Sequence, residues 1–345
     1  MSDRNRIFEY MKETSRESDA STLEFLDGLK DEGKGIYDYT SHLPVLRNRL
    51  INGDTSIPKA RNSLGRLVYE SFVGDWEKII PALSFIELST TATYVLDDII
   101  DDQPERQKDV STWKKFGRNK GIIAGGLQTF LSFEALDKLD IPDSDKLRIY
   151  KLANNMWLKL WMGEGFNEEM REETTFDEYI NRCYNISGVM FDTISQMSAI
   201  CAKENDENIR TASDIGKNYG IAVMVRNDLA DLLPKLREHS DALSKRTYED
   251  IRKGIWTYPV IFAMENGKES DKRIIKKFLG KDFDNEEYFK LYTILKETGA
   301  IKATLDLITE YKEKANDNIR KLPESESKKL LFGFTELLEN LRGYT

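Results

Sequence analysis

The stretch "LSFIELSTTATYVLDDII", Leu83 to Ile100, is apolar on most faces of a helix and contains no glycine or proline. A run of that length and pattern folds as a buried helix, not as a strand. The same period recurs along the chain. "NKGIIAGGLQTFLSFEALDKL" predicts another helix, closed by "DIPDSD", where Asp143 or Ser144 caps the next one. "KLRIYKLANNMWLKLWMGEGFNEEM" is a third helical segment. "TTFDEYINRCYNISGVMFDTISQMSAICAK" opens on a Thr/Asp cap signal, and "ASDIGKNYGIAVMVRNDLADLL" ends near Pro234. The C-terminal third continues in helical segments, with a last helix after "PESES". Strand-like alternation is absent. The expected architecture is all-α with a bundle core, one domain over residues 1–345, of which 1–40 form an N-terminal helical extension.

Composition narrows the function. The net charge is −9, which argues against a general binder of nucleic acid or of anionic membranes. Cys183 and Cys201 are the only cysteines and lie in apolar-periodic segments, so they read as small core residues. His42 and His239 are the only histidines, which leaves little for a histidine zinc site or a catalytic triad. The start, "MSDRNRIFEYMKE", lacks the apolar centre of a signal peptide. No charge-free apolar run reaches the roughly 18 residues of a membrane span. The expectation is a cytoplasmic protein with no membrane span.

The apolar helix ends in aspartates, which repel one another and are poor helix formers. Asp97, Asp98 and Asp101 are spaced i, i+1, i+4, which converges carboxylates on one helix face. "VRNDLADLLP" repeats that spacing with Asn227, Asp228 and Asp231, and each triplet has a proline three residues beyond it, Pro104 and Pro234. A solvated acidic helix end explains one such cluster; a matched pair on apolar helices argues for chemistry, because unpaired buried carboxylates are costly. Carboxylate and amide oxygens are hard ligands suited to Mg²⁺, which is usually held by one or two carboxylates together with substrate phosphates. Two such clusters facing one another would grip a diphosphate through bridging ions and draw charge off it as it leaves.

With these motifs the chain resembles the trans-isoprenyl diphosphate synthase (polyprenyl synthetase) family. "DDIIDD" and "NDLADL" are similar to its two aspartate-rich motifs. "YEDIRKGIWTYPVIFAMENG" resembles its D-L-x-x-G-K-x-T-L-P stretch, and "KLPESESKKLLFGFTELLENLR" its C-terminal helix. The resemblance runs from about Ile57 to the end. It implies the isoprenoid synthase fold, long antiparallel helices around a central cavity, three Mg²⁺ ions with bound diphosphate, an allylic prenyl diphosphate substrate and a homodimer. The small Ala92, five residues before Asp97 where the family often has a bulky residue, points to a deep cavity suited to C15–C20 or longer chains. Asp97, Asp101 and Asp228 become the expected metal ligands, with Asp98, Asn227 and Asp231 beside them. Arg106 and Lys245 match diphosphate contacts of the family. Arg61 matches the arginine of its Gly-Lys-x-x-Arg motif.

Several cations of the family pattern are replaced. Pro58 stands at the motif's lysine, with Lys59 one step late; Thr90 stands at a His/Gln position and Gln107 at the second arginine of a pair. Ile186 and Ile255 stand at lysines, and Met224 at a glutamine. Lys-to-Ile and Arg-to-Gln exchanges remove the charge that offsets a diphosphate's desolvation. Arg182 lies one turn before Ile186: the plain reading is a surface arginine, and the alternative is a diphosphate contact replacing the lysine. The losses tilt the expectation toward a terpene synthase that ionises one prenyl diphosphate and releases cyclised or eliminated product. The alternative is chain elongation with isopentenyl diphosphate, in which Lys59, Arg61, Lys253 or Arg226 compensates. A third reading is a regulatory subunit of a heteromeric synthase.

Overall fold

The computed structural model describes residues 3–52, 59–106, 109–169, 174–233, 248–282 and 284–339. Helices make up almost all of it. In chain order they are α1 Asp3–Asp27, α2 Leu29–Glu32, α3 Lys34–Thr40, α4 His42–Asn52, α5 Ala60–Glu70, α6 Ile80–Ile100, α7 Thr112–Phe116, α8 Arg118–Asp137 and α9 Asp143–Glu169. Then follow α10 Phe176–Cys183, α11 Val189–Cys201, α12 Asp206–Asp231, α13 Glu249–Arg252, α14 Tyr258–Asn266, α15 Glu269–Phe278, α16 Asn285–Glu297, α17 Ala300–Ile319 and α18 Glu326–Glu336. Strand pairing among the described residues is confined to a hairpin, β1 Glu105–Arg106 with β2 Asp109–Val110, in which Arg106 is paired with Asp109. The chain divides into two compact units. The first comprises Met1–Asn154, Thr193–Ser213 and Ile319–Gly333; the second comprises Asn155–Asp192, Asp214–Asn318 and Phe334–Thr345.

The first unit is built around α6. Pro81 sits at its start, where a missing N–H costs nothing. The hydroxyls of Thr90, Thr91 and Thr93 bond carbonyls three or four residues back, which satisfies them inside an apolar helix. An 18-residue window within Trp76–Ile100 is apolar enough to cross a membrane by composition, but 72% of it is buried, as in a core helix. Helix α8 lies close against α6: a Cβ on Gly125 would come within 2.6 Å of Leu96, so only glycine admits that approach. Leu26 of the N-terminal extension packs with Leu88 and Leu131. The extension is also tied by charge. Arg66 lies between the rings of Tyr10 and Trp76, at 4.2 and 3.9 Å, and bonds Thr14 and Glu70.

In the second unit α10 opens on a capping box, in which Thr175 and Glu178 each bond the other's backbone N–H. The helical path from α10 into α11 is widened by a π turn at Tyr184–Gly188. There Gly188 and Gly220 meet so closely that a Cβ on Gly220 would lie 2.6 Å from the Gly188 Cα. Phe191 packs edge-on to Tyr219 at 5.2 Å, and Tyr219 stacks on Phe334 at 4.8 Å.

Candidate active site

Each acidic triplet occupies the C-terminal end of a long helix. Asp97 and Asp98 lie in the last turn of α6 and Asp101 caps it, its N–H bonding the Asp97 carbonyl at 2.8 Å. Asp228 and Asp231 lie in the last turn of α12. A helix C-terminus already carries partial negative charge, so carboxylates there are doubly disfavoured until a cation arrives.

In the first unit that cation is Arg106, delivered by β1. Its Nε donates to Asp98 Oδ1 at 2.8 Å and its Nη2 to Asp97 Oδ2 at 2.7 Å. Asp98 is 1% exposed, whereas Asp97 is half-buried. Burial pushes the Asp98 carboxyl up to about 6; Asp97 and Asp101 add to the rise and Arg106 opposes it. Asp102, the fourth aspartate of the run, takes a left-handed turn conformation with φ 51° and pairs at the surface with Arg118.

Arg106 also lies over the ring of Tyr94, one turn before the aspartates, at 4.8 Å. Arg61, from α5, hydrogen-bonds the same phenol. Two expected diphosphate contacts thus meet at one aromatic residue. Lys59 goes elsewhere. It is 3% exposed, and its ammonium is bonded to Asp19 of α1 and, at 2.8 Å, to Glu87 of α6. Its charge is committed inside the fold, where burial lowers its pKa and Glu87 opposes that fall. Thr90 is buried, with its hydroxyl on the Ile86 carbonyl.

In the second unit the middle aspartate of the triplet is again the buried one. Asp228 is 2% exposed and accepts from the Tyr179 hydroxyl at 2.8 Å and from Arg182 Nη1 at 3.4 Å. Arg182 is equally buried, which overturns the surface reading, and its Nε donates to Asn167 Oδ1 at 2.6 Å. Burial pushes the Asp228 carboxyl up to about 7; nearby Asp250 raises it further, while Arg182 and Tyr179 oppose the rise. Asp231 Oδ1 accepts the Tyr248 N–H at 2.9 Å, and burial and Asp250 hold its pKa well above the carboxylate range. Tyr248 adopts φ +64° to make that bond and stacks on Tyr288 at 3.7 Å. Asn227 is exposed. Lys245 lies outside the described residues, as do Pro58 and Gln107.

These groups fit a hard divalent cation. All are oxygen donors, and the buried Oδ2 of Asp231 accepts no hydrogen bond among the described residues. Tyr179 and Asp250 were missed in the sequence. Asp250 stood in plain sight at the acid of the D-L-x-x-G-K-like stretch; Tyr179 carried no signal beyond lying one turn before Cys183.

Residues 59–295 match the polyprenyl synthetase family. The chain belongs to that family. Its fold is the isoprenoid synthase fold, and it is a prenyltransferase of the polyprenyl synthetase type. It is 27% identical over 256 residues to the geranylgeranyl diphosphate synthase of Sulfolobus acidocaldarius, covering 73% of this chain and 76% of that one. It is 27% identical over 253 residues to the decaprenyl-diphosphate synthase of Dictyostelium discoideum, covering 73% and 53%. Among solved structures, the geranylgeranyl pyrophosphate synthetase of Pyrococcus horikoshii superposes with a TM-score of 0.86 at 25% identity, over 98% of this chain and 99% of that one.

Proposed function

We propose that this polyprenyl synthetase elongates an allylic prenyl diphosphate with isopentenyl diphosphate. The observation that carries the reading is the family match over residues 59–295, which contains both acidic triplets. The replaced cations had tilted the expectation toward cyclisation; the comparisons support elongation better, since the relatives named above are diphosphate synthases. The convergence of Arg61 and Arg106 on Tyr94 supports it from the site. Asp97, Asp101 and Asp228 are the residues we assign to Mg²⁺, with Asp98, Asn227 and Asp231 beside them. Bound Mg²⁺ would neutralise the diphosphate as it leaves and stabilise the developing charge. Arg106 and Lys245 would then contact the allylic diphosphate. Arg182 is assigned here to Asp228, which it holds in place. The protein is further proposed to pair with a second copy of itself. Ile122, Ile123 and Phe130 of α8 are exposed apolar residues, Phe130 at 73%.

One incubation tests the reaction. With Mg²⁺ and farnesyl or geranylgeranyl diphosphate, a longer diphosphate forms only when isopentenyl diphosphate is added. A hydrocarbon or alcohol formed without it would refute elongation in favour of cyclisation. Silence that a partner synthase relieves would favour the regulatory subunit.

A further inference from the structure

Three elements of the first unit deliver an arginine to one phenol. Arg61 of α5 hydrogen-bonds Tyr94, Arg106 of β1 lies 4.8 Å over its ring, and Arg47 of α4 lies 5.6 Å over it. Arg47 precedes the family-matched residues, so no motif of the family points to it. We propose that Arg47, oriented by Glu87, binds the diphosphate of the acceptor substrate and supplies charge that the chain lacks at Pro58 and Gln107. This proposal rests on the elongation reading and names a residue of that site.

The geometry is specific. Arg47 Nε donates to Glu87 Oε1 at 2.8 Å. Glu87 and Tyr94 are seven residues apart, two turns along one face of α6. The Arg47 guanidinium reaches from one to the other and so lies along the turns that carry Thr90. It is 8% exposed, so its charge sits in a medium where it acts strongly on a neighbour.

The charges around it are not closed. Glu87 is shared between Arg47 and Lys59, and Lys59 is shared with Asp19. Glu87 takes the Nε–H of Arg47, and a guanidinium has five N–H donors, so orientation does not exhaust it. Arg106 is held by Asp97 and Asp98. When a divalent cation takes Asp97, Arg106 loses a partner and turns to the allylic diphosphate, while Arg47 and Arg61 remain beside one neutral phenol. A diphosphate, with two to three negative charges and paired oxygens, is the anion that matches such a set. Tyr94 registers the field: burial alone would raise its pKa, yet Arg61, Arg47 and Arg106 together bring it below the ordinary phenol value.

The test compares wild type with Arg47→Gln and Arg47→Lys. The KM for isopentenyl diphosphate is expected to rise about tenfold or more in Arg47→Gln, as for loss of a charged hydrogen bond, with a much smaller rise for the allylic substrate. Arg47→Lys recovers part of the loss. Equal rises for the two substrates, or no rise, would overturn the proposal. If Arg47→Gln does not fold, as judged by its melting curve, Arg47→Lys is read alone: a several-fold rise confined to isopentenyl diphosphate supports the proposal and an unchanged KM refutes it. If wild type makes no longer diphosphate, the elongation reading falls. The role of Arg47 is then decided by calorimetric binding of inorganic pyrophosphate in EDTA, which needs neither metal nor turnover. Weaker binding in the variants supports an anion site at Arg47; identical binding removes it.

Discussion

The two acidic triplets share a spacing and a position at a helix end, yet they are held in different ways. The first is offset by Arg106, a quarter-exposed side chain (24%) on a two-residue strand, gripping a half-buried Asp97. The second is offset by Arg182, which is as buried as the Asp228 it bonds and is fixed in turn by Asn167. The part-exposed pair of Arg106 with Asp97 is exchanged for a metal at little cost to the fold, because an ion pair open to solvent contributes about 1 kcal/mol or less. A buried pair is different: removing one partner leaves a charge stranded. The first triplet is therefore built to change partners, and the second to stay still.

The largest expected effect treats them alike. Asp97→Ala and Asp228→Ala each lose about a thousandfold in turnover, the several kcal/mol that a catalytic metal contributes. Measured with labelled substrate, retention of activity in either would remove that residue from the metal set. Stability then separates the triplets. Asp228→Ala and Arg182→Met are expected to lose about 3–5 kcal/mol in denaturant unfolding, against about 1 kcal/mol or less for Asp97→Ala. Equal losses would break the comparison. Next is Tyr179→Phe, which removes the hydroxyl on Asp228 and is expected to weaken Mg²⁺ binding about 10- to 100-fold, read by metal titration of activity.

A pH series follows. The Asp98 and Asp228 carboxyls are raised to about 6 and about 7 from an ordinary value of 3.8, chiefly by burial. Between the unfolded and folded values the native state binds more protons, so the metal-free protein loses stability as pH rises through that window. Glu87 acts in the opposite sense. Burial opposes its ionisation, but Arg47 and Lys59 prevail and lower it to about 2, so its contribution is lost as pH falls from 4.5 toward that value. Saturating Mg²⁺ should flatten the neutral limb; a metal-free melting profile that is level from pH 4 to 7 contradicts both shifts. The smallest effect is expected at Asp102→Asn. Asparagine keeps the left-handed turn and loses only an exposed pair with Arg118, so kcat should stay within about twofold.

Long helices were legible because burial repeats with their period: Leu83–Ile100 lies within a single helix, α6, and "NDLADL" ends another. The hairpin holding Arg106 was not, because two-residue strands show no alternation. The π turn at Tyr184–Gly188 was equally hidden, since tertiary packing of Gly188 on Gly220 shapes that stretch. At the site, spacing along a helix identified the carboxylates but not their partners. Lys59 shows why. One step from a motif position it looked like a substrate contact, but its orientation depends on Asp19, a residue in another helix. Arg47 and Tyr179 were invisible for the same reason: each acts through a side chain distant in sequence.

The Asp19–Lys59 pair has a consequence for inheritance. Lys59 opens the family-matched stretch, and its ammonium is satisfied partly by a residue in a helix that lies before that stretch. A shorter chain begun at Lys59 would leave Lys59 and Glu87 without Asp19, and Leu88 without Leu26. The N-terminal helix and the acidic helix therefore depend on one another, and a chain that inherits the buried Lys59 needs Asp19 as well to keep its charge offset.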